Sequence, residues 1–155
     1  MCADIVSSDV RSQMMARIRG KDTAPELAIR RQLHAFGYRF RVHRRDLPGR
    51  PDIVLPRFRA TVFVHGCFWH RHPNCVRASR PKTNQSFWDE KFESNMARDK
   101  RKATTLRQLG WTVATLWECE TEDDRRLEGR LRRIFGMPSL KGTARTAART
   151  RIDAP

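Results

Sequence analysis

The first forty residues have the pattern of two amphipathic helices. Apolar residues recur every three to four positions from residue 7 to residue 19, behind Ser7 or Ser8 as N-cap, which predicts a short helix. The stretch Thr-Ala-Pro-Glu that starts at Thr23 matches a capping box. A second helix is therefore expected from Thr23 to the stop signal at Gly37.

Short apolar stretches further along the chain predict strands. Residues 38–43 (YRFRVH) alternate apolar and basic side chains, as a half-buried strand does. Residues 51–56 and 61–65 are apolar runs, and the basic turn between them, 57–59, predicts that they form a hairpin. The apolar stretch 111–117 (WTVATLW) predicts a strand in the centre of a sheet.

The remaining segments are one irregular loop and two helices. Residues 66–83 show no periodicity. A long helix, charged along much of its length, is predicted from about Phe87 to Leu109, and Thr121 is expected to cap a last helix that ends at Gly136. The order α-α-β-β-β-α-β-α predicts an α/β fold in which helices flank a mixed sheet.

Composition adds a domain count and a class of partner. A chain of 155 residues, 39% of them hydrophobic, predicts one domain over residues 1–138. The basic tail, 139–155, has almost no large apolar side chains and is expected to be disordered. The net charge of +15 favours nucleic acid as partner, the other interpretation being a basic protein without one. No apolar run approaches the ~18 residues of a membrane span, and the N-terminus lacks the features of a signal peptide. A monomer in the cytoplasm, associated with the nucleoid, is expected.

Three cysteines and a histidine form a candidate metal site. Cys67, His72 and Cys75 lie within nine residues, and Cys119 follows the last predicted strand, where a loop could return to the same end of the sheet. Three thiolates and one imidazole are a familiar tetrahedral set for structural zinc. The other interpretation is four unconnected residues, with the cysteines as small core side chains. We expect one zinc ion that ties the irregular loop to the sheet.

An acidic residue begins the first strand of the predicted hairpin. Asp52 is costly to bury unless it is paired or binds a cation, although an exposed Asp in a turn is the other interpretation. The hairpin brings Asp52 beside the end of the next strand, where Val64 and His65 lie. A carboxylate, backbone carbonyls and two histidines, His65 and His70, could therefore meet at one end of the sheet.

Aromatic residues in a polar context suggest a wedge for DNA. Phe68 and Trp69 lie in the irregular loop, and Trp88 begins the long helix. Aromatic side chains inserted between base steps kink a duplex, and this costs less at a mismatch. Ordinary core packing is the other interpretation, above all for Trp88. We assign Trp111 and Trp117 to the core.

Polar residues on the long helix and basic residues near the N-terminus are candidates for further DNA contacts. Lys91, Asn95 and Asp99 recur at i, i+4 and i+8 on one face, and they could read base edges or form a solvated surface. Contacts to phosphates are expected from basic residues of the segment 7–21, namely Arg11, Arg17, Arg19 and Lys21.

Four motifs together are similar to those of a known family. In order, they are PGRPDIV, VFVHGCFWHRH, FWDEKFESNMARDKR and LGWTVATLWEC, and they resemble the very short patch repair endonucleases from about Ser7 to Glu120. The resemblance implies a restriction-endonuclease-like PD-(D/E)XK core. It implies an enzyme that nicks DNA 5′ of the mismatched T at T:G mismatches, which arise when 5-methylcytosine is deaminated. It also implies Mg²⁺ (one or two ions) for catalysis, one structural zinc ion, and repair partners that include a DNA polymerase.

The resemblance implies roles for the residues around the predicted hairpin. Asp52 and the main-chain carbonyl of Val64 match the family's Mg²⁺ ligands, while His70 matches the proposed general base. His65 matches a neighbour that contacts the phosphate, and it stands where the wider superfamily has a lysine. Glu26 matches an acid that orients a histidine, beside its other interpretation as part of the capping box.

The resemblance also covers the metal cluster, the wedge and the N-terminal segment. The matching zinc ligands are Cys67, His72, Cys75 and Cys119, the matching intercalating residues are Phe68, Trp69 and Trp88, and residues 7–21 match a helix that clamps DNA.

Two other functions stay open at this point. One is a restriction-type nuclease that cuts fully paired DNA, and the other is a zinc-stabilised protein that senses distorted DNA without cutting it. Binding alone requires none of Asp52, His65 and His70, so their presence together argues against the second alternative.

Overall fold

The computed structural model describes residues 8–17 and 20–136. Within these ranges the helices and strands follow the predicted order: α1 (Ser8–Ala16), α2 (Ala24–Ala35), β1 (Arg41–Val42), β2 (Ile53–Leu55), β3 (Ala60–His65), α3 (Gln85–Gln108), β4 (Thr112–Trp117) and α4 (Asp124–Phe135). Short 3-10 helices, Pro56–Phe58 and Glu118–Glu120, follow β2 and β4. The predictions for Arg19 and for the tail 139–155 fall outside the described residues.

The four strands form one mixed sheet in the order β1-β2-β3-β4. The predicted hairpin is confirmed, since β2 and β3 pair antiparallel with Val54 opposite Thr61. β3 and β4 pair in parallel, with Val64 opposite Leu116. The prediction of a central position for residues 111–117 is wrong, because β4 is an edge strand. Its apolar character comes from helices that cover the two faces, and side-chain pattern reports burial of faces rather than the number of paired neighbours.

Helices cover both faces of the sheet and form two hydrophobic clusters. On one face, α2 and α4 pack Ile29, Leu33, Leu127 and Leu131 against side chains of the sheet such as Val62. On the other face, α3 contributes Leu106 to a cluster that contains Leu47, Val54 and Phe63. Each fully buried large aliphatic side chain contributes roughly 1.5–3 kcal/mol to the stability of the folded state, relative to the same side chain left exposed. The α/β class, with a mixed sheet flanked by helices, is therefore confirmed.

Two element boundaries differ from the sequence-based predictions. Residues 38–43 pair over Arg41–Val42 only, because Tyr38 and Phe40 pack on the core through side chains without joining the ladder. Helix α4 is capped by Asp123, whose carboxylate accepts a hydrogen bond from the Arg126 N–H at 2.8 Å. Thr121 instead donates its hydroxyl to the Glu118 carbonyl at 2.7 Å and ends the 3-10 helix.

The described helices also bear on membrane association. Among the residues that the structure describes, no helix combines the length and the apolar character needed to cross a bilayer.

Candidate active site and metal centre

Asp52 lies just before β2 and contacts the end of β3. The Val64 N–H donates to Asp52 Oδ2 at 2.8 Å, as the hairpin predicts. Because the N–H and C=O of one strand residue face the same side, the Val64 carbonyl also faces the strand that carries Asp52. Burial raises the pKa of Asp52 to about 6, against the lowering effect of the Val64 hydrogen bond.

The Asp52 carboxylate suits a cation ligand. Within the described part of the chain it forms no ion pair within 4.0 Å, although it is half-buried and Glu26 adds a second negative charge nearby. A half-buried carboxylate with one N–H donor and no counter-ion is stabilised when a metal ion binds it. These observations fit the predicted pairing of Asp52 with the Val64 carbonyl as oxygen ligands, the type that Mg²⁺ prefers.

His65 and His70 form a stacked pair beside this carboxylate. Their rings are 4.0 Å apart and inclined by 8°. Asp99, on α3, accepts a hydrogen bond at 2.5 Å from His70 Nδ1, and its other oxygen lies 3.9 Å from His65 Nε2. A carboxylate on Nδ1 selects the tautomer that carries its proton there, which leaves His70 Nε2 free to accept a proton. Burial lowers the pKa of His65 to about 4, so this imidazole is neutral at neutral pH.

These groups line one open cleft of about 550 Å³. Its walls come from the segment before α2, the turn before β2, the end of β3, the irregular loop and α3. The lining residues that bear on chemistry are Glu26, Asp52, His65, His70, Asp99 and Lys102. Lys102 is not among the predicted site residues, and Asp99 is predicted to read base edges or to form part of a solvated surface. The helical period of α3 could have indicated that these two residues act together, since Asp99 and Lys102 are three residues apart and share a face.

Glu26 is buried, with 4% of its surface exposed, and its hydrogen bonds lie at the start of α2. Its carboxylate accepts from the Asp22 N–H at 3.0 Å, the Thr23 hydroxyl at 2.9 Å and Arg30 Nη2 at 2.9 Å. The predicted capping box is wrong in detail, because the Thr23 hydroxyl donates to Glu26 instead of accepting from the helix. Glu26 lines the cleft without a hydrogen bond to either histidine, so its orienting role stays a prediction.

The predicted metal ligands lie together. Cys67 Sγ, Cys75 Sγ, Cys119 Sγ and one His72 ring nitrogen lie within 4.8 Å of one another. His72 Nδ1 is 3.6 Å from the sulfur of Cys67 and 3.3 Å from that of Cys119. The three thiols are free of disulfides, and burial raises the pKa of Cys67 to about 12. Thiolates at this spacing need a cation to offset their charge, so the donor set fits a closed, four-coordinate metal site.

Trp117 lies between the metal cluster and the histidine pair. Its indole stacks on the His72 ring, with centroids 4.3 Å apart, and meets the His65 ring edge-on at 5.3 Å. The assignment of Trp117 to the core is wrong, since its indole is half-buried between the rings of His72 and His65. Trp111, at the other end of β4, does pack on the Leu106 cluster, as predicted.

The aromatic residues proposed as a wedge form one cluster at the rim of the cleft. Phe68 contacts Trp69, Trp88 and Phe92, with ring centroids 5.2 to 5.5 Å apart. Phe87, which the sequence analysis did not consider, joins the cluster through Trp88 and is 59% exposed. Phe92 is the buried ring beneath the cluster. The cluster therefore combines a packed foundation with aromatic surface that faces outward.

The polar stripe on α3 has partners within the protein. Asn95 Nδ2 donates to the Trp69 carbonyl at 3.0 Å and so holds the aromatic loop, while Asp99 holds His70. Lys91 is exposed. Base reading by this stripe stays a prediction. In the N-terminal segment, Arg17 and Lys21 are exposed, whereas the side chain of Arg11 lies outside the described residues.

Comparison with known proteins agrees with this geometry. The family described as DNA mismatch endonuclease Vsr matches residues 3–77. The Type II nicking enzyme V.XorIIP of Xanthomonas oryzae pv. oryzae is 50% identical over 132 residues, which cover 85% of this chain and 96% of that protein. The DNA mismatch endonuclease Vsr of Escherichia coli is 43% identical over 117 residues, 76% of this chain and 74% of that protein. The chain belongs to the Vsr family of DNA endonucleases.

A third relative supports the same assignment. The Type II nicking enzyme V.NmeAIP of Neisseria meningitidis is 39% identical over 131 residues, 84% of this chain and 93% of that protein. A Vsr-family chain is a DNA endonuclease, a hydrolase of phosphodiester bonds that acts in DNA repair. Membership of this nuclease family indicates that a divalent metal ion is used. The structure also contains a cysteine–histidine cluster that could hold a metal ion.

Proposed function

We propose that this protein nicks double-stranded DNA 5′ of the mismatched T in T:G mismatches and so initiates very short patch repair. One observation carries the proposal: Asp52, Val64 and the His70–Asp99 pair converge at one end of the sheet, beside an aromatic cluster. Asp52, Val64 and the His70–Asp99 pair are suited to phosphodiester hydrolysis, and the aromatic cluster is suited to the recognition of a weakened base step. The net charge of +15 attracts the polyanionic duplex.

His70 is proposed as the general base. Asp99 holds the proton on Nδ1, which leaves Nε2 as the acceptor on a residue that lines the cleft. When water attacks the phosphorus, its proton passes to Nε2 and a bond forms from the water oxygen to phosphorus. The bond to the leaving oxygen breaks, and that oxygen takes up a proton from solvent to become a hydroxyl. Histidine suits this step at neutral pH because its ordinary pKa lies near 6.5. His65, kept neutral by burial, is proposed to donate a hydrogen bond to a phosphate oxygen.

Two metals are proposed, each with its own donor set. Asp52 and the Val64 carbonyl are proposed to hold Mg²⁺, which when bound would neutralise the charge that grows on the phosphate. Cys67, His72, Cys75 and Cys119 are proposed to hold a structural zinc ion. The two sets differ in softness, one being oxygen and the other mainly sulfur, so the ions need not compete.

The mismatch is proposed to be recognised through unstacking. Phe68, Trp69 and Trp88 would insert at the T:G pair, where the cost of separating base steps is lowest. The hydrogen bond from Asn95 to the Trp69 carbonyl and the contact of Phe68 with the buried ring of Phe92 hold the aromatic side chains in position for insertion between base pairs.

The test compares two duplexes that differ at one base. With Mg²⁺, the wild-type protein should nick the T strand of a T:G duplex and leave its T:A counterpart intact. Asp52→Ala should lower the nicking rate by at least about 10²-fold while retaining DNA binding. Equal cutting of both duplexes would contradict mismatch specificity, and undiminished nicking by Asp52→Ala would remove Asp52 from the metal site.

A further inference from the structure

Lys102 lines the candidate active site although no motif singles it out. It follows Asp99 by three residues on α3 and lines the 550 Å³ cleft together with Asp52 and His65. It also lines an adjoining cavity of about 250 Å³, which shares Phe63, His65, His70 and Asp99 with the cleft. Lys102 thus lines both the cleft and the adjoining cavity, which share the histidine pair.

The stem of Lys102 is held in place by the turn before Asp52. Gly49 has φ +75°, and a Cβ at this position would lie 2.8 Å from both Cβ and Cγ of Lys102. Only glycine allows the backbone to approach this closely. The turn therefore packs directly on the methylene chain and restricts the side chain to the neighbourhood of the cleft.

The ammonium group of Lys102 has no counter-ion within the described part of the chain. None of the described carboxylates lies within 4.0 Å of it, whereas Arg30, whose charge also acts on Asp52, is paired with Asp22 and Glu26. Its side chain lines the same cleft as Asp52, His65 and His70. An unpaired ammonium next to a carboxylate and a proton acceptor is arranged to receive an anion.

We propose that Lys102 binds the scissile phosphate through a non-bridging oxygen and stabilises the charge that develops there during hydrolysis. The inference rests on the proposed active site and adds a residue to it. Lys102 lines the same cleft as Asp52 and His65 but belongs to α3, so it adds a positive charge that neither strand at the site supplies. A lysine ammonium acts here as a compact point charge.

The charge and the stem of Lys102 can be tested separately. Lys102→Met keeps the methylene stem over Gly49 and removes the charge, whereas Lys102→Arg keeps the charge. Arg107→Met is the matched control, because Arg107 is exposed in the last turn of the same helix and carries the same charge. We expect the single-turnover cutting rate of Lys102→Met to fall about 10²-fold, as when one preorganised donor is removed from a transition state. Lys102→Arg should stay within about tenfold of wild type, and Arg107→Met should be unchanged.

Binding and stability measurements identify the cause of the loss. The melting temperature of Lys102→Met should match that of wild type, and the salt dependence of DNA binding should change by about one phosphate contact, ~0.9 in log–log slope. If Lys102→Met is destabilised, Lys102→Gln replaces it. A rate for the uncharged variant within about threefold of wild type, or an equal loss in Arg107→Met, overturns the role of Lys102.

The comparison uses whichever duplex the wild-type protein cuts. A failure of T:G specificity therefore leaves the Lys102 measurement intact. A wild-type protein that cuts no duplex overturns the proposed function, whereas a normal rate for the uncharged variant overturns only this inference.

Discussion

At the scale of single residues, the site is built from carboxylates with distinct partners. Asp52 accepts a hydrogen bond from a backbone N–H and has no counter-ion among the described residues. Asp99 accepts a hydrogen bond from His70, and Glu26 forms its hydrogen bonds at the start of α2. Partners set what each carboxylate can do. The first can bind a cation, the second can fix a tautomer, and the third stabilises a helix end.

The role of Asp99 leads to a prediction. Asp99→Asn should lower the single-turnover nicking rate by about 10²-fold or more, because the amide can present an N–H to His70 Nδ1 and so select the tautomer whose Nε2 is protonated. The melting temperature should change little, since Asp99 is partly exposed. Asp89→Asn, on the same helix and paired with Arg80, is the matched control. Nicking by Asp99→Asn at the wild-type rate would show that His70 does not act as a base through this contact.

Residue patterns predicted some of these partners and missed others for a physical reason. Asp52 and Val64 are close because a hairpin brings them together, and a hairpin is a local feature readable from turn and strand patterns. Asp99 and Lys102 reach the site from α3, across the other face of the sheet. Which side of a charged helix faces a loop is settled by tertiary packing, and polar periodicity alone does not disclose it.

At the scale of elements, β4 connects the two candidate sites. Its parallel pairing with β3 places Trp117 opposite His65, and the 3-10 helix that follows carries Cys119 into the metal cluster. The strand was predicted correctly in extent but not in position. Because the ends of β3 and β4 lie side by side, Trp117 contacts the imidazole of His65 on one side and that of His72 on the other.

Trp117 should therefore couple metal retention to activity. We expect Trp117→Leu to weaken zinc binding by about 10–100-fold, as the loss of a supporting group around a metal ligand typically does, and to lower the nicking rate through His65. Zinc content after dialysis and single-turnover nicking are the two readouts. Trp117→Phe should preserve more of both, because it keeps a ring against His72. Trp111→Phe, at the other end of β4, should leave zinc content unaltered. Full zinc retention by Trp117→Leu would separate the two sites.

At the scale of the whole molecule, the protein divides into a self-supporting core and a loop that depends on its ligands. Both hydrophobic clusters are formed by helices and strands, and neither includes a residue of the segment 66–84. That segment carries Phe68, Trp69 and His70 and buries one side chain deeply, that of Cys67. Apolar burial stabilises the sheet and its helices, whereas this loop has only the aromatic packing on Phe92 and the metal cluster to order it.

Removal of zinc should thus abolish function before it unfolds the protein. One zinc ion per chain is expected by metal analysis, and a strong chelator or Cys119→Ser should remove it. Nicking should be lost and should not return on addition of Mg²⁺, because the loop no longer presents His70 and the aromatic cluster. Far-UV circular dichroism should retain most of the helical signal. The melting temperature should fall by about 10 °C, since a structural zinc site contributes several kcal/mol and 1 kcal/mol shifts it by about 2–4 °C at this chain length. Cys2→Ser, which removes the thiol that the predicted ligand set leaves out, should keep both zinc and activity. A Cys119→Ser variant with full zinc and full nicking would show that the loop is ordered without this ligand, and loss of the entire helical signal would show that the core depends on the metal as well.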